Sequence, residues 1–564
     1  MSQPTIHRGL DQGLRSTSNA PLCSQSAALI IPADAQRTIC RDIRGSSDDW
    51  QNDMYHLALT CKAYNTTALD ALWERLYSIW PLFRLMYSFK LRTNVKTGQV
   101  WARAPMEYNE ADWRRFAKYA PRVRLLTHRE DSAVPVLALI RAIKAHTTDH
   151  TFISNLRRLT WHLGPTNQED SLLSLREFTL RHLQSLEINW PEHLPDGIPS
   201  IVRGLPGSAP QLRRLRLGSL ISFTIEDRFL EPLAQLQHLE TLELKVLDDS
   251  QFEELYTSVR SLKRLSIGYC DTHWHQIQVD GIHPRLEELI LGGFFAREAT
   301  PVIAHLGSTS LRRLTKLSKC EIASLLEIWQ LCNELSPRFA STLTNVRITM
   351  DTLAASEGLS PDPPQLMDAL YPLLELPELR VFELAVHQEL RSFVPELHDK
   401  DMHLMLVAWP RIERLSLLVQ FVGLTTGSLV EVAHHCEELE DLRLWRISIP
   451  PDVAVPEGFF TSLPSLCVLH VRDYEAPPSA WGAYARFLRT LFPNLEVPDD
   501  VEDILPTKNR RCTSPGTDSE DDEEEEACTS DSSESDGPLD VSDIASVSDR
   551  EERFMRDVRR DMGE

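Results

Sequence analysis

Apolar and polar positions along the middle of this chain fall into short bursts with a fixed internal order, Leu-x-x-Leu-x-Leu. Five copies are clean: Leu183-Gln-Ser-Leu186-Glu-Ile188, Leu212-Arg-Arg-Leu215-Arg-Leu217, Leu239-Glu-Thr-Leu242-Glu-Leu244, Leu262-Lys-Arg-Leu265-Ser-Ile267 and Leu286-Glu-Glu-Leu289-Ile-Leu291. Their starts are 29, 27, 23 and 24 residues apart. A looser copy precedes them at Leu156-Arg-Arg-Leu159-Thr-Trp161. Others follow from Leu311, Leu343, Leu379, Ile412, Leu439 and Leu466, at steps of 32, 36, 33, 27 and 27. In each burst the second and third apolar residues are two apart, which is strand spacing and sends both to one face. The residues on either side of the second apolar position then share the opposite face. The longer steps leave room for an outer helix, and Glu321–Asn333 has the length and apolar spacing for one. The three-proline insertion Ser356–Pro364 falls outside the strands, and Phe492-Pro-Asn-Leu495-Glu-Val497 reads as a final half-unit. Self-similarity at this period predicts supersecondary units that stack, each touching only its neighbours.

Ahead of the repeats the apolar spacing turns helical. Pro32 suits a first helical turn, Asp34 its positive end, and Ile39 and Ile43 one face of that helix. A second helix from Asp53 carries Tyr55, Leu57, Ala58, Leu59, Cys61 and Tyr64; a third carries Leu69, Leu72, Trp73 and Leu76. Pro81 ends it or starts the next element. Trp113–Tyr119 and Val134–Ala145 extend a helical reading over 107–150, as a cap on the first repeat. Residues 1–28 and 503–564 are polar and low in complexity and read as disordered, with a short charged helix over 549–562.

The repeat pattern resembles the leucine-rich repeat. The segment His56-Leu-Ala-Leu-Thr-Cys-Lys-Ala-Tyr64 followed by Ala68-Leu-Asp-Ala-Leu-Trp73 and Ile79-Trp-Pro-Leu-Phe-Arg-Leu85 resembles the second half of an F-box, as found in fungal F-box proteins. Pro105–Arg124 is similar to the segment that such proteins carry before their repeats. In the first half of the motif, Ala35 stands where a larger apolar residue is usual and Cys40 where an aromatic is. The resemblance implies an α/β leucine-rich-repeat solenoid, a horseshoe, preceded by a small all-α F-box-like module and followed by a disordered acidic tail. Its parts are an F-box-like module at 29–90, a helical linker and cap at 91–150, and the repeat array at 151–502. It also implies that Pro32, Ile39, Leu57, Leu59, Cys61 and Trp73 help to dock the Skp adaptor of a cullin-based ubiquitin ligase. On their spacing alone, the same residues would be the core of a three-helix cap.

Charge narrows the partners. The formal net charge is −23, but 14 acidic residues and no basic ones lie between Cys512 and Asp549, which leaves −9 for everything else. The acidity belongs to a tail, and broad nucleic-acid binding is disfavoured because phosphate contacts need a basic surface. Serines 519, 530, 532 and 533, each followed by acids, suit acid-directed kinases. The 10 cysteines are scattered, with no Cys-x-x-Cys, as in a reducing compartment. No secretory signal and no run of 18 apolar residues is present, so no membrane association is expected and the cytoplasm or nucleus is.

On the polar face of the repeats, Arg158, Arg214, Arg216, Arg264, Arg313, Arg347, Arg414 and Arg443 stand against Glu187, Glu243, Glu288, Glu383 and Asp441. Arginine forks suit carboxylate and phosphate, so an acidic or phosphorylated protein target fits this face. The chain's own acidic tail would also fit, and an exposed charged strand face with no ligand is the plain alternative. Enzyme signals are scarce. His434-His435-Cys436 and His273-Trp-His275 lack further ligands at metal spacing, Gly204-Leu-Pro-Gly207 lacks the end of a phosphate loop, and no Gly-x-Ser-x-Gly elbow occurs.

Together these features predict a non-enzyme with no cofactor and no metal. It would be the substrate-recognition subunit of an SCF-type ubiquitin ligase, bridging the Skp adaptor to a target held on the repeats. The alternative is a non-catalytic leucine-rich-repeat interaction scaffold with a decayed F-box. A third reading, a repeat protein that activates a GTPase, sits poorly with steps that vary from 23 to 36 residues.

Overall fold

The computed structural model describes residues 31–495 apart from 47–48, 61, 87–89, 94–99, 104–109, 130–135, 147–151, 165–167, 179, 191–196, 220–229, 245–254, 256–258, 269–282, 294–295, 318–321, 355–364, 389–396, 421–422 and 455–461. Both chain ends read as disordered, His273-Trp-His275, the Ser356–Pro364 insertion and the last residues of the final half-unit lie outside the described residues. The chain divides into two compact units, Met1–Trp73 and Glu74–Glu564.

In the first unit, α1 (Ala33–Ser46), α2 (Trp50–Thr60) and α3 (Lys62–Glu74) follow one another with short breaks. The first turn of α1 closes when Gln36 N donates to Pro32 O at 3.1 Å. Arg44 lies 5.0 Å over the ring of Trp50 and donates to Ala71 O, while Thr67 Oγ1 donates to Gln36 Oε1 at 2.9 Å. These ties join α1 to α2 and α3 around an apolar interior of Cys40, Met54, Tyr55, Ala58, Ala68, Leu72 and Trp73.

The second unit is mixed α/β. Its strands are β1 (Arg75–Leu76), β2 (Lys90–Thr93), β3 (Val100–Arg103), β4 (Leu125–Arg129), β5 (Arg158–His162), β6 (Ser185–Trp190), β7 (Arg214–Ser219), β8 (Thr241–Leu244) and β9 (Arg264–Ile267). Then come β10 (Glu288–Gly292), β11 (Arg313–Leu317), β12 (Ile322–Ser324), β13 (Asn345–Ala354), β14 (Val381–Gln388), β15 (Arg414–Leu418), β16 (Asp441–Ser448) and β17 (Val468–Glu475). All but β2 and β3, which pair as an antiparallel ribbon, form one parallel sheet in chain order from β1 to β17, with β12 as a side branch on β13. The ends of that order do not pair with each other, so the sheet is open and solenoid-like. Helices run in the connections: α4 (Trp80–Arg84), α5 (Glu110–Tyr119), α6 (Val136–His146), α7 (Gln168–Arg176), α8 (Gly197–Ser208), α9 (Ala296–His305), α10 (Leu325–Phe339), α11 (Leu366–Leu370), α12 (Asp399–Ala408), α13 (Thr426–His435) and α14 (Trp481–Leu491).

Register is set by a repeated backbone device. The N–H groups of Arg157 and Arg158 both donate to Arg124 O, at 2.8 and 3.0 Å, and Gln184 and Ser185 do the same to Arg157 O. The device recurs down the stack to Cys467 and Val468 on Glu440 O. It places Leu126, Leu159, Leu186, Leu215, Leu242, Leu265, Leu289, Leu314, Val346, Phe382, Leu415 and Leu442 in one row. That row is buried throughout, and no strand can slip by one residue without exposing its member; two residues on, β4 buries His128 and β11 buries Lys316 where most strands bury a second apolar side chain. Space is tight where β10 passes its neighbour: a Cβ at Gly292 would meet Gly268 O at 2.7 Å.

Three features depart from the reading of the sequence. The segment read as helical over 107–150 contains α5 and α6, but between them β4 joins the sheet. The sheet begins with β1, upstream of the first burst at Leu156. The burst was hidden because Val123-Arg-Leu-Leu126-Thr-His128 puts histidine in the third apolar place. His128 is buried against Trp161, ring centroids 4.4 Å apart, and Phe178, Phe152, Phe116 and Phe83 continue this aromatic packing at 5.2 to 6.0 Å. Burial, aided by nearby His162, lowers the His128 pKa to about 3. The helix expected from Glu321 starts instead at Leu325, because Ser324 and Glu327 form a reciprocal capping box there (Ser324 N to Glu327 Oε2, 2.9 Å) and β12 precedes it. Finally, the 29–90 span contains the division at Trp73: Leu76, Ile79, Leu82 and Phe83 are buried residues of the second unit.

Candidate functional site

The polar face of the sheet is built from the two positions that flank the buried row. In one flanking row, Arg158, Ser185, Arg214, Thr241, Arg264, Glu288, Arg313, Asn345, Val381, Arg414 and Asp441 are successive register partners. Thr160, Glu187, Arg216, Glu243 and Ser266 lead the other, which later holds Arg347, Glu383, Ser416 and Arg443.

Most of these charges have partners inside the face. Arg216 lies 3.2 Å from Glu187 and 3.5 Å from Glu243, while Arg264 lies 3.8 Å from Glu243 and 3.5 Å from Glu288. Five charges on β6 to β10 therefore alternate in sign without a break, and Thr160 and Asn189 add hydrogen bonds to Glu187 at 3.3 and 2.9 Å. Further along, Arg347 meets Glu383 at 3.5 Å, and Arg414 and Arg443 both reach Asp441 at 3.0 Å. The hydrogen bonds that Arg443 donates to the Asp441 carboxylate raise the Arg443 pKa above its usual value. Beyond them, the Arg472 guanidinium sits 3.9 Å above the ring of Trp445.

Arg158, Arg214 and Arg313 differ. They are exposed and have no ion pair among the described residues. The eight arginines singled out in the sequence thus separate into five held by acids of the same face and three whose forks point at solvent. The alternation was readable in the sequence: residues that follow the second leucine in consecutive copies are Glu187, Arg216 and Glu243, and constant register sets them side by side.

The residues for which the sequence resemblance implied adaptor docking also separate. Ile39 and Leu59 keep 37% and 51% of their surface exposed, an apolar display on α1 and α2. Leu57 is half-buried and Pro32 exposed, just ahead of α1. Trp73 is core, and Cys61 lies outside the described residues. Cys40 is buried, and that burial raises its thiol pKa against the opposing pull of Arg44.

Gly204-Leu-Pro-Gly207 lies within α8 and forms no phosphate loop. Among the described residues no helix is long and apolar enough to cross a membrane.

No family model matches this chain, and no curated protein does. Among solved structures, 68 chains match. One is the crystal structure of a Bacteroides fragilis protein from a structural-genomics programme, 12% identical, covering 63% of this chain and 81% of its own, with a TM-score of 0.23.

Proposed function

We propose that this protein is the substrate-recognition subunit of an SCF-type ubiquitin ligase, a leucine-rich-repeat receptor with an F-box-like module. The helices α1 to α3 would dock the Skp adaptor through Ile39 and Leu59. The polar face of the repeats would hold a protein target through Arg158, Arg214 and Arg313. The chain would supply no catalytic group. It would act by holding the target near a ubiquitin-conjugating enzyme carried by the cullin, which raises the effective concentration of the target's lysines.

One observation carries the reading. Three short helices form a compact unit of their own, and it keeps Ile39 and Leu59 at its surface. Large apolar residues left exposed on a small module suit a protein contact. Free arginine forks suit carboxylate or phosphate, so the target chemistry is an acidic or phosphorylated segment.

Copurification with a fungal Skp adaptor tests it. A one-to-one complex of adaptor and full chain is expected on size exclusion. A folded chain that elutes alone would remove the ligase reading.

A second reading is favoured by the ion pairs. A face whose arginines are mostly matched by its own acids needs no ligand to satisfy it, as suits an interaction scaffold with a decayed F-box, and exposed Ala35 with buried Cys40 fits decay. In that case the adaptor does not bind while partner proteins still do.

A further inference from the structure

In the sequence, His434-His435-Cys436 had no further ligands within reach. The fold supplies two. On α13, Glu431 and His435 are four residues apart and share one face. On the neighbouring helix α12, His403 meets them. His403 Nδ1 donates to Glu431 Oε2 at 2.7 Å, and His435 Nε2 lies 3.2 Å from the same oxygen. The two imidazole rings are 4.9 Å apart and nearly perpendicular. All three potential ligand atoms lie within 4.8 Å of one another.

The two helices are fixed one turn away by a separate clamp. Asp399 is four residues before His403 on α12. Its carboxylate accepts from Thr425 N at 2.8 Å, from Thr425 Oγ1 at 2.5 Å and from Ser428 Oγ. Ser428, Glu431 and His435 follow at spacings of three and four, so the clamp and the triad occupy one seam. The approach at the clamp is close: Gly423 has φ +112°, and a Cβ there would meet His398 Nδ1 at 2.6 Å. The seam is thus aligned by hydrogen bonds that do not involve the triad.

We propose that His403, Glu431 and His435 form a binding site for one divalent transition ion of the zinc class, which staples α12 to α13. Two imidazoles and one carboxylate form a nitrogen-rich set that suits zinc better than magnesium or calcium, which require oxygen. Around a tetrahedral ion with bonds of about 2.0–2.1 Å, ligand atoms stand roughly 3.3 Å apart. The observed 2.7 and 3.2 Å to Glu431 Oε2 are close to that spacing, and rotation of the two imidazoles brings their nitrogens, within 4.8 Å of each other, around the ion. The side chains of His403, Glu431 and His435 keep 46%, 36% and 25% of their surface exposed, which gives the ion an entry path and leaves its fourth position to water.

The test uses the full chain after chelator dialysis, titrated with Co²⁺ and then Zn²⁺, beside His403→Ala and Glu431→Gln. The chain has 19 histidines, so the decisive quantity is the difference between wild type and variants. Wild type should bind one equivalent more than either variant, with a visible Co²⁺ absorption that Zn²⁺ displaces and a melting midpoint that Zn²⁺ raises. Losing one ligand should weaken that equivalent by at least about 10-fold, as even outer-shell changes do. Equal stoichiometry and equal affinity in wild type and His403→Ala would overturn the proposal and leave a surface hydrogen-bond network.

Discussion

The stretch of polar face on β6 to β10 and the three arginines Arg158, Arg214 and Arg313 are made from the same side chains in the same register, yet they are built for different ends. Along β6 to β10, Arg216 and Arg264 are each bracketed by acids on both neighbouring strands. Arg214 sits in the same stretch, on the same strand as Arg216, but its register partners are Ser185 and Thr241, so no acid reaches it. A shift of two residues along one strand changes an arginine from part of the fold to part of the surface. What decides the role is the residue one repeat away on each side, and not the arginine or its strand.

Four predictions sharpen that contrast, beginning with the row beneath both groups. Leu289→Ala removes a fully buried side chain under the alternating charges and should cost about 2–5 kcal/mol in denaturant unfolding, far more than any change on the polar face. A loss below about 1 kcal/mol would mean that the row does not hold the stack.

Second, β4 buries His128 two residues beyond Leu126, a place where most strands bury an apolar side chain. His128 has its pKa lowered from 6.5 to about 3 by burial, so the unfolded chain takes up its proton first as the pH falls. Its contribution to stability is complete above pH 6.5 and declines as the pH falls toward 3, by up to about 1.4 kcal/mol per pH unit. Buried His283, its pKa lowered to about 4, acts in the same direction. Acid unfolding of His128→Leu should therefore be shallower than wild type between pH 6.5 and 4. Identical slopes would show that His128 is hydrated.

Third, Arg264→Glu places like charge between Glu243 and Glu288. A loss of roughly 1–2 kcal/mol at low salt is expected from two reversed cross-strand pairs, shrinking in 1 M salt as screening grows. Fourth, Arg214→Ala should leave stability within about 0.5 kcal/mol of wild type, because an unpaired surface side chain is removed. On the receptor reading it should still weaken target capture. A melting temperature that falls as far in Arg214→Ala as in Arg264→Glu would erase the distinction between the two groups.

The sequence carried the buried row and its period clearly, since leucine at fixed spacing has few other uses. It carried β4 poorly because one histidine broke the burst, although Val123 and Leu126 were in place. The start of α10 was readable from Ser324 and Glu327, whose capping box outranks the apolar spacing that points to Glu321. Pairing on the polar face was also readable in part, because copies of constant register align Glu187, Arg216 and Glu243. The meeting of His403 with Glu431 and His435 was not. Glu431-x-x-x-His435 is local, but His403 arrives by helix packing across 28 residues, and no spacing rule spans that distance.

Calorimetric titration of the full chain with the Skp adaptor, beside Ile39→Asp/Leu59→Asp and Arg214→Glu, tests the proposed role of the small helical unit most directly. Both of the first two positions are exposed, so the double variant should stay folded. Wild type and Arg214→Glu are expected to bind equally with one-to-one stoichiometry, and the double variant to lose binding. Absence of binding by wild type, or unchanged binding by the double variant, would contradict the account.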